Sequence, residues 1–114
     1  MRIITKSVAV TTAGSDAAAV GSGTLDGMTG LLLDVWLDYH ASAPATTDVT
    51  IAYTTRGGSI AVISNNATDM LIAPRQNPAD ESRYPIDQGL TVSVAGANAL
   101  TACVTAWFRI LLVS

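Results

Sequence analysis

Charge is scarce in this chain of 114 residues: only 13% of them are charged, about half the ~25% of an ordinary soluble domain. The formal net charge is -3 and the pI about 4.7, so there is no basic field to hold a phosphate backbone, and nucleic-acid binding is not expected. Cysteine is nearly absent. Cys103 stands alone, which excludes an internal disulfide and a multi-cysteine zinc site, and its place in a strand pattern points to a buried structural thiol. Long apolar runs are missing too. Residues 104–113 are interrupted by Thr105 and Arg109, and nothing approaches the ~18 residues of a spanning helix. The first 14 residues lack a long apolar leader core. A soluble, unsecreted protein with no membrane partner is expected.

What is present is alternation, clearest over residues 30–54. Leu31, Leu33, Val35, Leu37 and Tyr39 fall on one face, and Leu32, Asp34, Trp36, Asp38 and His40 on the other. Period two with one apolar side predicts a strand against a core. Pro44 follows where it cannot damage a ladder, and Val49, Ile51 and Tyr53 resume the inward phase. Residues 2–12 read as an edge strand whose apolar face is broken by Lys6. Residues 13–24 are either a flexible arm or part of a weak strand reaching Leu25. Further short strands are expected at residues 59–64, 69–73, 89–95 and 102–113, with Gly57-Gly58, Asn65-Asn66 and Gly96-Ala97-Asn98 as turns. Residues 75–87 are polar, carry Pro78 and Pro85, and read as a long loop.

About eight strands and no convincing helix in one domain, residues 1–114, predict an all-β, antiparallel two-sheet jelly-roll sandwich. An immunoglobulin-like sandwich is the alternative, without its cysteine pair. Hydrophobic types make up 49% of the chain. With so little charge, a surface largely covered by other subunits is expected, hence a homo-oligomer.

The words of the sequence then become informative. DYHASAPATTDVTIAY, the Gly-Gly hairpin, ISNNATD, Pro74-Arg75 and the ending LTVSVAGANALTACVTAWFRI resemble the small capsid decoration, or cement, proteins of tailed bacteriophages. The likeness runs from about Met1 to Val113 and is strongest from Tyr39 onward. It departs at the charged segment Asp80-Glu81-Ser82-Arg83. The resemblance implies a jelly roll on the outer surface of the phage head, made in the host bacterial cytoplasm. It implies the major capsid protein as partner, a dimer or trimer, no cofactor and no enzymatic activity.

Candidate contact residues follow from type and position. Trp36 and Trp107 both lie on the less apolar face of their strands: either they form one exposed patch, or that face is covered. Arg75, Arg83 and Tyr84 are contact-prone types on the long loop, and Arg109 shares Trp107's face. Asp34, Asp38 and His40 share one strand face, with Asp38 and His40 about 7 Å apart along it. A metal or acid–base site is not expected there, because catalysis needs groups converging from several elements and this is the only histidine. An ion pair of Arg109 with one of the aspartates is expected if their strands adjoin. No catalytic or metal residue is assigned. A carbohydrate- or receptor-binding jelly-roll module of a phage tail or fibre is the alternative function.

Overall fold

The computed structural model describes residues 2–77, 79 and 82–112. Nine antiparallel strands form two sheets: β1 (Arg2–Val10), β2 (Ala19–Leu25), β3 (Gly30–Tyr39), β4 (Asp48–Tyr53), β5 (Ser59–Ile63), β6 (Met70–Ile72), β7 (Tyr84–Ile86), β8 (Leu90–Ala97) and β9 (Val104–Leu112). Sheet 1 has the order β1-β9-β3, and the far side of β3 is shared by β6 and β7. Sheet 2 has the order β2-β8-β4-β5. The first four strands alternate between sheets, and the two short pieces β6 and β7 together fill one strand position. This is the strand order of a jelly roll. An immunoglobulin-like sandwich would keep the first two strands in one sheet; here they lie in opposite sheets.

The core lies between the sheets and is one continuous cluster. Phe108, Leu32, Leu37, Ile51, Leu90 and Ile110 are among its largest fully buried side chains. Alternation holds along β4, β8 and most of β9, where Val104, Ala106, Phe108 and Ile110 point inward. Strand β3 departs from the regular alternation. Its pairing with β9 slips between Leu32 and Asp34, a bulge that reverses the phase. Leu32 is therefore buried, while Leu31 and Leu33 are only half-buried. The inward set is Leu32, Val35, Leu37 and Tyr39, not the unbroken odd series.

Residues 19–25 pair along their length with β8, and their small residues have a packing reason. A Cβ added at Gly21 would lie 2.3 Å from the Thr11 carbonyl oxygen, and one at Gly23 would lie 2.6 Å from Val8 Cγ1. These inward positions let β2 approach the end of β1, where the chain crosses between sheets.

The expected loop at 75–87 contains a strand the sequence reading left out. Tyr84–Ile86 pairs with Gly30–Leu32. Pro85 fits there because β7 is an edge strand, where its missing N–H costs no ladder bond. Strand β8 also continues past residue 95 to Ala97, through Gly96 at φ 61°.

Candidate contact face

The two faces turned to solvent differ in kind. Across the outside of sheet 2 run Ser22, Ser93, Thr50 and Val62 in register, a row of mostly small neutral side chains. Across the outside of sheet 1 run Ser7, Trp107, Trp36 and Leu71. Trp36 and Trp107 are direct cross-strand partners, 41% and 43% exposed. Directly opposite positions on one sheet face bring such side chains within reach of each other, and the alternation of β3 and β9 turns both outward.

One row along the strands, Arg109 meets Asp34. The guanidinium donates from Nε to Asp34 Oδ1 at 3.2 Å and from a terminal nitrogen to Oδ2 at 2.5 Å. The hydrogen bonds and then the charge of Asp34 hold Arg109 more firmly protonated than a free arginine. A two-point pair of this kind fixes both side chains in orientation, although the arginine itself is solvent-exposed and its stabilising effect is small. Beyond it lies an apolar row: Ile3, Leu111, Leu31 and Pro85. On the other side of the tryptophans lie Ala9, Thr105 and Asp38. The face thus reads, row by row, apolar, ionic, aromatic and polar. Among the described residues the exposed large hydrophobics are Ile3, Val20, Trp36, Val62, Leu71 and Trp107, and four of these six stand on this one face.

The remaining candidates separate. Arg83 donates to the Leu33 carbonyl oxygen at 2.9 Å, satisfying the β3 bulge in the gap between β6 and β7. Arg75 folds back on its own loop, donating to the carbonyl oxygens of Ala73 and Pro74. Tyr84 is partly buried and packs against the core, so it does not join the tryptophans. Pro78, Asp80 and Glu81 lie outside the described residues, as do Met1 and Val113. Leu71 and Ile3 were not singled out from sequence. Leu71 is the middle residue of a three-residue strand, too short for alternation to give its face.

Asp38 and His40 lie at the end of the same face without converging on a third group. His40 Nδ1 accepts a hydrogen bond from the Ser42 amide at 3.0 Å, so the imidazole organises its own turn. Among the described residues no group of three or more His, Cys, Asp or Glu side chains is placed to hold a metal ion. Cys103 is buried, and desolvation raises its thiol above the ordinary value. Its backbone ties the sheet ends together: its N–H donates to the Val10 carbonyl, and its carbonyl accepts from the His40 N–H, each at 2.8 Å.

No protein-family model matches the chain, and no curated protein matches it. Solved structures of similar shape exist at low identity. One is from infectious bursal disease virus, Gx strain, at 13% identity and a TM-score of 0.42, covering 97% of this chain and 34% of that one. The chain thus spans about a third of that structure's length. Another is a family 29 carbohydrate-binding module mutant complexed with mannohexaose, at 10% identity and a TM-score of 0.42, covering 97% and 92%. A further mutant of that module family gives 10% identity and 0.41, covering 96% and 92%.

Proposed function

We propose that this chain is a non-enzymatic structural protein of a virion, one that decorates the outside of a tailed-phage head and stabilises contacts between major capsid subunits. The observation that carries the reading is the Trp36–Trp107 pair, exposed on the outer face of sheet 1 together with Ile3 and Leu71. Tryptophan is the residue type most concentrated at contact hot spots. Here two of them are held rigid by a strand pair and flanked by Leu71 and an oriented ion pair. Such a protein performs no chemistry. It presents complementary surface, and repetition around a closed shell multiplies modest contacts into strong retention.

The same pair supports a second reading, a carbohydrate- or receptor-binding module of a phage tail or fibre. Adjacent indoles with Asp34, Asp38 and Arg109 beside them resemble a platform for a sugar ring. One comparison separates the two. Co-sedimentation with expanded, undecorated heads, abolished by Trp36→Ala, supports decoration. Saturable binding on a glycan array with no affinity for heads supports the module.

A further inference from the structure

The outer face of sheet 1 has a symmetry that its composition alone does not reveal. Each of its central rows is a pair spanning β3 and β9: Asp34 with Arg109, Trp36 with Trp107, Asp38 with Thr105. Suppose a second copy is laid on this face, related by a two-fold axis that runs along the strands midway between β3 and β9. Every row then faces the same row of the other copy with its members exchanged. Arg109 faces the other copy's Asp34, and Asp34 faces its Arg109, closing a four-membered alternating charge cluster. Trp36 meets Trp107 in both directions. Ile3 and Leu111 meet Pro85 and Leu31, apolar against apolar.

Charge complementarity therefore selects the occupant: we infer that this face is an isologous interface between two copies of this chain. The inference rests on reading the face as a contact surface and specifies what contacts it. Area permits it. Four strand positions about 4.8 Å apart and about nine residues long, the fourth filled by β6 and β7 end to end, present roughly 550 Å² per copy. Two copies bury on the order of 1,100 Å², above the ~1,000 Å² that a specific interface needs. Twisted sheets stack face to face with their strands about 30° apart, which the shared axis accommodates. Other in-plane axes serve less well. An axis across the strands through the tryptophan row sets Asp34 against Asp38 and leaves Arg109 facing Thr105. In such a dimer the tryptophan face is buried between the copies, so the capsid is met by the two outward ends, one for each of two neighbouring capsid subunits, and Trp36→Ala weakens head binding by separating those ends.

The charges supply the test. Asp34→Arg and Arg109→Asp each place like charges together across the axis, so each variant alone is expected to run as a monomer by light scattering at concentrations where the wild type is a dimer. Mixed in equal amounts, the two variants set two positive charges of one copy against two negative charges of the other and are expected to form a heterodimer of wild-type mass. Unchanged thermal unfolding and near-ultraviolet circular dichroism establish that each variant is folded. Should either fail to fold, Leu71→Lys, at a side chain 59% exposed, is expected to raise the dimer dissociation constant at least about tenfold. A monomeric or trimeric wild type overturns the inference. So does a dimer untouched by these substitutions, or charge variants that do not recover each other. Head binding is read separately. A monomeric wild type that sediments with heads removes the two-fold but keeps the decorating role, and a dimer that ignores heads does the reverse.

Discussion

Trp36 of β3 and Trp107 of β9 stand directly opposite each other on the outer face of sheet 1, each more than two-fifths exposed. Their partners on the outer strands are Leu71 and Ser7, so the row crosses the whole sheet. In an interface of this design, Trp36→Ala or Trp107→Ala should cost about 2 kcal/mol or more of association, roughly thirtyfold in affinity. Neither should unfold the domain, because neither side chain reaches the core. Titration of assembly against concentration, alongside thermal unfolding, checks both halves of this expectation.

The bulge in β3 makes a sharper demand. Leu32→Ala removes a fully buried side chain and should destabilise by roughly 2–5 kcal/mol. Leu31→Ala, one residue away on the outer face, should cost under about 1 kcal/mol. Unbroken alternation from Leu31 would reverse that order, so chemical denaturation of the two variants distinguishes the registers.

Gly21 and Gly23 are expected to resist even the smallest side chain. Gly21→Ala puts a methyl group against the Thr11 carbonyl oxygen, where a Cβ would lie 2.3 Å away, and overpacking of backbone against backbone costs about 1–3 kcal/mol or more. Gly57→Ala meets no atom within 4 Å and strains only its own φ of 73°, for a smaller loss of about 1 kcal/mol. Denaturant midpoints of the two variants should rank in that order.

Alkaline pH should loosen the fold. Burial raises the Cys103 thiol above its ordinary 9.0 and the Tyr39 phenol above its ordinary 10.0. Asn66 partly offsets the shift at Tyr39, although the buried hydroxyl has no hydrogen-bond partner of good geometry among the described residues. Both groups hold their protons more tightly folded than unfolded. Their contribution is therefore complete below pH 9 and is lost as pH rises through the raised folded values. Melting temperature should fall progressively above pH 9, and less steeply in Cys103→Ala. A thiol reagent at neutral pH should react with Cys103 only as fast as the protein opens.

Much of this architecture was legible in the residues. Alternation located β3, β4, β8 and β9, because each has one face on a core and one in water. The two tryptophans were expected either on one exposed patch or on a covered face, and they stand exposed as cross-strand partners. Three features were hidden for physical reasons. A bulge preserves local composition while reversing phase, so Leu31 and Leu33 looked inward. Glycines that permit close approach read equally as a flexible arm or as a weak strand when the opposing backbone is unknown, and the strand, Ala19–Leu25, is what forms. Strand β7 is three residues long and contains Pro85, which weakens any sequence signal for a strand. The self-complementary rows depend on the register between β3 and β9, strands some seventy positions apart, and no local pattern encodes that.

On the proposed reading the sandwich works by contact with other protein subunits, and its tryptophan face is needed for that contact. The most direct measurement is sedimentation of purified protein with expanded tailed-phage heads stripped of their decoration. The wild type is predicted to pellet with the heads at a saturating, fixed ratio to the major capsid protein, and Trp36→Ala to remain largely in the supernatant. Folded wild-type protein that stays in the supernatant at every concentration would contradict the account.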